Sequence, residues 1–177
     1  MMLIDKLEFY SIQIAELQRR KIRHQLSQLL KNVNFPSPIH HEFYKNQNAY
    51  LLRVHMQKQA LPYLLSFLSF HHYTIYQVIR TKSEAELLPI EQLKNIERRY
   101  DYYIDGLTDP FIKDKVIEVL HQAPQFQLKY TIRKNLLTLT STVEEASNIL
   151  SLLARHHIDI CQVYSPSQPQ AHMIRIS

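Results

Sequence analysis

Apolar and polar residues alternate with a period of two in some stretches of the chain and recur every three or four residues in others. "FQLKYTIRK" sets Phe126, Leu128, Tyr130 and Ile132 against Gln127, Lys129, Thr131 and Arg133, the period of a half-buried strand. A turn at Lys134-Asn135 leads into "LLTLT", which completes a predicted hairpin. In "STVEEASNILSLLARHH" the apolar residues Ala146, Ile149, Leu150, Leu153 and Ala154 lie at helical spacing. The helix opens with a capping-box pattern, Ser141 or Thr142 followed by Glu144 or Glu145. "IDICQVYS" is rich in strand formers. After "PSQPQ", a loop by its prolines, "AHMIRIS" predicts a last strand.

The first half of the chain carries the same series. "HEFYK", the turn "NQNA" and "YLLRVH" predict a hairpin. "KQALPYLLSFLSF" predicts a helix that tolerates Pro62 only in its first turn, and "YTIYQVIR" the returning strand. Ahead of it, Leu7, Ile14, Leu17, Ile22, Leu26, Leu29, Leu30 and Val33 predict one long amphipathic helix over residues 5–33. Ahead of the second copy, "PIEQLKNIERRYDYYI" predicts one helix starting near Pro89. "TDPFIKDKVIEVLHQ" predicts another, capped by Thr108 or Asp109 with Pro110 in its first position. Gly106 stands between these two as a left-handed residue able to end the first.

The resemblance between the halves is direct. At an offset of 85 residues, "LLRVHMQKQALPYLLSFLSFHHYTIYQV" falls on "LLTLTSTVEEASNILSLLARHHIDICQV" with ten identities in 28 positions and no gap. "IDKL" at 4–7 fits "IEQL" at 90–93 with one residue added to the offset. Two units of 1–86 and 87–177, packed as one compact body, account for the whole chain. Each reads helix-β-β-α-β. The predicted fold is therefore α+β: two tandem ferredoxin-like repeats related by a pseudo-twofold, with helices on an antiparallel sheet in two layers and a long helix at the N-terminus.

Composition narrows the function classes. One glycine stands where average usage would place about twelve, which removes P-loops, dinucleotide fingerprints and glycine-rich kinase loops. No nucleotide cofactor or other cofactor is expected. A net charge of +5 and a pI near 9.3 make the surface attractive to anions. Apolar runs fall far short of a membrane span, and the start, with Asp5, Lys6 and Glu8, lacks a secretory layout. The expected location is cytoplasmic, in agreement with the single Cys161, a strand residue without a disulfide partner.

Paired histidines recur at equivalent places, His71-His72 and His156-His157, with a third pair at His40-His41. Helix termination accounts for the first two pairs at once, because histidine in a last turn bonds the unpaired carbonyls. No cysteine or carboxylate spacing completes a metal site, and no catalytic constellation stands out.

A non-enzymatic binding protein is the reading that remains, with nucleic acid as the first ligand. "QRRKIRH" places Arg19, Arg20, Lys21 and Arg23 on the first helix. If the strand alternation holds, Arg53, His55, Tyr76, Lys129 and Arg133 share one sheet face. Cations for phosphate beside rings for stacking are what a single strand requires. "RRYDYY" at Arg98–Tyr103 is a second aromatic-basic cluster, diluted by its acidic neighbours. The alternative is a protein-interaction adaptor, inhibitor or subunit, docking through the N-terminal helix or an exposed strand edge. An enzyme with its site in a cleft between the repeats is the third reading.

Overall fold

A computed structural model describes residues 6–46, 48–81, 87–123 and 128–166. The strand expected over "AHMIRIS" and the start of the one expected at Phe126 lie outside these residues. The chain begins with a strand, β1 (Leu7–Ile14), and a single 3-10 turn at Ala15–Gln18 leads into α1 (Arg20–Asn32). The hairpin β2 (His40–Asn46) and β3 (Ala49–Gln57) follows, then α2 (Leu61–Phe70) and β4 (Ile75–Arg80). A one-turn helix, α3 (Ile90–Leu93), precedes β5 (Arg98–Ile104) and α4 (Pro110–Gln122). The series then repeats with β6 (Lys129–Arg133), β7 (Leu136–Ser141), α5 (Val143–Arg155) and β8 (Ile160–Tyr164).

The strands form one eight-stranded antiparallel sheet in the order β2-β3-β1-β4-β8-β5-β7-β6. The helices pack against it, giving a two-layer α+β architecture. The core lies between the layers: Tyr10, Ile12 and Ile14 of β1 and Tyr100, Tyr102 and Ile104 of β5 meet Leu61, Leu64, Leu65 and Leu68 of α2 and Leu150 and Leu153 of α5.

Two expectations require correction. Residues 5–33 do not form one helix: Tyr10, Ile12 and Ile14 alternate as a strand, and the helix starts only at Arg20. The apparent helical series arose because Leu7 and Ile14 are seven apart, a helical spacing, although in the strand they lie on opposite faces, Leu7 exposed and Ile14 in the core. Likewise "RRYDYYI" is β5, with Tyr100, Tyr102 and Ile104 inward, and only Ile90–Leu93 of the expected helix is helical. Gly106, at φ +77°, consequently sits in the turn from β5 to α4 and caps no helix. Each half thus reads β-α-β-β-α-β, the one-turn α3 aside, with a strand added ahead of the leading helix of the expected helix-β-β-α-β.

Local signals elsewhere match their elements. Asp109 caps α4 by accepting from the Phe111 and Ile112 amides, and Pro110 takes the first helical position. Thr142 and Glu145 form the capping box of α5, at 3.3 and 3.0 Å.

The histidine pairs end their helices in the same way. His72 (φ 64°) and His157 (φ 58°) are left-handed, and their amides donate to Ser69 and Ala154 carbonyls. The next amides, of Tyr73 and Ile158, reach back to Leu68 and Leu153. This is the double hydrogen bond of a Schellman ending, in which glycine is the usual left-handed residue. A side chain there costs about 1–2 kcal/mol, of which glycine's greater unfolded-state freedom returns roughly 0.4–1. His72→Gly and His157→Gly should therefore each stabilise the protein by about 0.5–1 kcal/mol, a rise of roughly 1–4 °C in Tm. A drop in Tm on either substitution would mean that the imidazole makes a stabilising contact.

β4 and β8 join the two halves. Val78 lies opposite Val163, its own counterpart at the 85-residue offset. The Gln77 side-chain oxygen accepts from the Ser165 amide at 3.1 Å, and the Gln162 oxygen from the Arg80 amide at 3.3 Å. Gln77 and Gln162 exchange under the offset, as do Arg80 and Ser165.

Candidate nucleic-acid interface

One face of the sheet packs on the helical core; the other holds the alternate residues of each strand, of which Ser11, Gln13, Leu51, Gln77 and Ile79 are buried while Phe9, Arg53 and His55 reach the surface. Register places Phe9, Ser11 and Gln13 of β1 on this second face, because Tyr10, Ile12 and Ile14 fill the core. Phe9 pairs with His55, which pairs with His40, so these three form a row across β1, β3 and β2. Ser11, Arg53 and Glu42 form the next row.

The nine expected contact residues fall into three places. Arg53 and His55 are on the open face as expected. The Arg53 guanidinium meets Glu42 at 3.3 Å and lies 4.2 Å over the Tyr44 ring. Lys129 and Arg133 share that face but belong to β6, the far edge strand. Six strand steps separate them from Arg53, roughly 29 Å. Charges on an outermost strand also hinder edge-to-edge pairing, which gives both residues a reason to be there without a ligand.

Tyr76 is not on the open face. It lies on the core side, 8% exposed. Ser11 pairs with both Arg53 and Ile79, so Ile79 and Gln77 share the Arg53 face and Tyr76 turns the other way. The pairing also shifts by one residue between Gln13 and Ile14, which seats Ile75 opposite Ile14. Arg19, Arg20, Lys21 and Arg23 belong to the helix layer. Arg19 caps α1 without a side-chain bond, and Arg20 and Lys21 are exposed. Arg23 is engaged, donating to the Leu17 carbonyl at 2.7 Å and lying 3.6 Å over the Tyr50 ring. The Tyr50 amide donates to Gln18, which ties the start of α1 to the β2–β3 hairpin.

The residue that the sequence reading missed is Phe9. Its ring is 46% exposed and lies nearly parallel to the His55 imidazole, with centroids 4.1 Å apart and planes 7° from parallel. His40 follows at 6.4 Å from His55. Two shallow depressions flank this stack. One, of about 230 Å3, is lined by Leu7, Phe9, Arg80 and Thr81, and the other, of about 180 Å3, by Phe9, His40, Glu42, Arg53 and His55. Reading 7–14 as a strand would have revealed Phe9, since the alternation sets it opposite Tyr10.

The open face is interrupted near its middle. The Leu88 carbonyl accepts from both the Gln13 and Gln77 side-chain amides, each at 3.1 Å, so residues 87–89 lie across β1 and β4 there. Among the described residues no three His, Cys, Asp or Glu side chains converge as a metal would require. No described helix is long and apolar enough to cross a membrane.

Cys161 is half-buried on β8, near the ion pair of Lys58 with Asp105 at 3.1 Å. Burial and then the Asp105 carboxylate push its thiol up to about 11, against a smaller opposing effect of Lys58. At pH 8 this lowers the thiolate population about two-hundred-fold relative to a free thiol. The more basic thiolate is the stronger nucleophile, which returns roughly 10–20-fold. Alkylation by iodoacetamide should therefore run about 10–20-fold slower than for a free cysteine, and Asp105→Asn should speed it. Alkylation at the free-thiol rate would contradict this environment.

No protein-family model, curated protein or solved structure matches the chain.

Proposed function

We propose that the protein is a non-enzymatic binding protein for single-stranded nucleic acid, held on the open face of β1, β3 and β2. The observation that carries this reading is the exposed Phe9 ring stacked on His55, on the side of the sheet opposite Tyr10, Ile12 and Ile14 of the core. Sequence-tolerant binding of single strands uses rings on which bases stack, beside cations that follow the backbone. Phe9 and His55 supply the rings. Each depression beside them falls short of the roughly 300 Å3 typical of small-molecule pockets, and a planar base needs no more depth than this. Arg53 stands one row away on the same face. Arg19, Arg20 and Lys21, beside the hairpin end of the same half, supply phosphate contacts for a strand that leaves over that end.

The fold supports the same reading. The first four strands lie in the order β2-β3-β1-β4 and the last four in the corresponding order β6-β7-β5-β8. The chain is, in this proposal, a fused pair of ferredoxin-like units related by a pseudo-twofold between Val78 and Val163. Sheet faces of such units are common platforms for single-stranded RNA.

The test is a salt titration of binding to labelled single-stranded oligonucleotides, on protein stripped of copurifying nucleic acid. Micromolar binding that weakens steeply with salt supports the proposal. Absence of binding at low salt would refute it.

The outer side of α2 favours a second reading, a protein interface. The helix has no charged residue, and Tyr63 and Phe70 are each 57% exposed, with Phe67 between them. Tyr63→Glu with Phe70→Glu would abolish such an interaction and leave oligonucleotide binding unchanged.

A further inference from the structure

The two halves present different chemistry at equivalent positions of the open face. Register defines the equivalence without reference to side chains. Phe9 pairs with His55 as Arg99 pairs with Thr140, and His40 pairs with His55 as Lys129 pairs with Thr140. The row His40–His55–Phe9 therefore corresponds to Lys129–Thr140–Arg99. Three rings on one half face two cations and a threonine on the other.

The next row differs as much. Ser11 corresponds to Asp101 and Arg53 to Thr138. Asp101 is 4% exposed, and its carboxylate is held by Arg99 at 2.8 and 3.1 Å and by the Thr138 hydroxyl at 3.2 Å. The Arg99 charge is thus committed to a neighbouring carboxylate and does not face a phosphate unpaired. Tyr103 and Tyr164, one pair further on, stack on each other with centroids 6.0 Å apart and hydroxyls at 3.5 Å. Both are half-buried, and Tyr164 pairs directly with Asp101. A strand laid on these rings would run its phosphates past the buried Asp101 carboxylate.

We infer that the halves are functionally unequal: one single strand binds per chain, on Phe9 and His55 of the first half, while the second half's counterpart is closed by the Arg99–Asp101–Thr138 cluster. This inference rests on the nucleic-acid reading above and adds its stoichiometry and its location. Duplication then leaves one working face and one that completes the sheet. The residues 87–89, lying over Gln13 and Gln77, separate the two surfaces.

The experiment is a calorimetric titration of the full chain with a uridine tetranucleotide at low salt, short enough to occupy one half only. The expected saturation is one tetranucleotide per chain. Phe9→Leu, which keeps the apolar volume and removes the ring, should weaken binding about tenfold, in line with the loss of one stacking contact. Arg99→Ala and Tyr103→Ala should change affinity less than twofold. Two equivalents per chain, or a loss on Tyr103→Ala matching that on Phe9→Leu, would overturn the inequality and leave the nucleic-acid reading standing. No heat and no binding by the unaltered protein would overturn that reading itself.

Discussion

Gln77→Leu is expected to destabilise the protein by about 3 kcal/mol, while the equivalent change at Gln162 costs about 1. The difference follows from what each amide serves. Gln77 is completely buried. It donates to Gln13 at 2.8 Å and to the Leu88 carbonyl at 3.1 Å, and accepts from the Ser165 amide at 3.1 Å. Leucine fills the space but leaves the Ser165 N–H and the Gln13 oxygen without these partners in a dry place. Each buried polar group left so costs about 1–3 kcal/mol. Gln162 is half-buried and makes one such contact, a longer one of 3.3 Å to the Arg80 amide, which water can replace. For a chain of this size, Tm should fall by roughly 6–12 °C for Gln77→Leu and roughly 2–4 °C for Gln162→Leu. Equal shifts in a thermal melt would show that the seam between the halves has no single hub.

Phe9→Ala should weaken single-strand binding by about one to two orders of magnitude, since stacking on a ring is worth roughly 1–3 kcal/mol per base. The residue is 46% exposed, so its removal disturbs little of the core. The salt dependence discriminates further. Phe9 carries no charge, and the slope of log affinity against log salt should be unchanged in the alanine variant. Arg19→Ala, Arg20→Ala or Lys21→Ala should behave in the opposite way, each lowering the slope by about one with a smaller loss of affinity at high salt. If Phe9→Ala has no effect while the basic substitutions do, binding is electrostatic and the sheet is not its platform. Filter binding at four salt concentrations is sufficient to separate the two.

Much of this architecture was legible in the residues, for reasons that are local. The turns at Asn48 and Lys134, the caps at Asp109 and Thr142 and the histidine endings each depend on a few consecutive residues, and the hairpins and helices built on them stand where the pattern put them. β1 and β5 were read as helical because some of their apolar residues fall at helical spacing over so short a span. What selects the strand is pairing on both edges, β1 between β3 and β4 and β5 between β7 and β8, which is a non-local fact.

The candidate interface suffered accordingly. Arg53 and His55 could be assigned to one face from β3 alone. Tyr76 could not be related to them, because the relative phase of two strands comes from register, here set through Ser11. Lys129 and Arg133 have the right face, but their distance depends on strand order. Phe9 was hidden by the misread of its own strand.

The seam between β4 and β8 also bears on how the chain is made. Apart from β4 and β8 themselves, every strand finds its sheet partners within its own half. Each half's pairings therefore close over short stretches of sequence, which favours rapid and separate formation. Domains that form as units do so from the N-terminal side during synthesis. The first half is complete at Arg80, whereas β8 is translated some eighty residues later. Through that interval one edge of β4, including Val78, is an unpaired apolar strand edge, the kind of surface on which chains join to one another. Its proper mate, β8, is translated only at the end of that interval, so the nascent chain is open to self-association until β8 emerges.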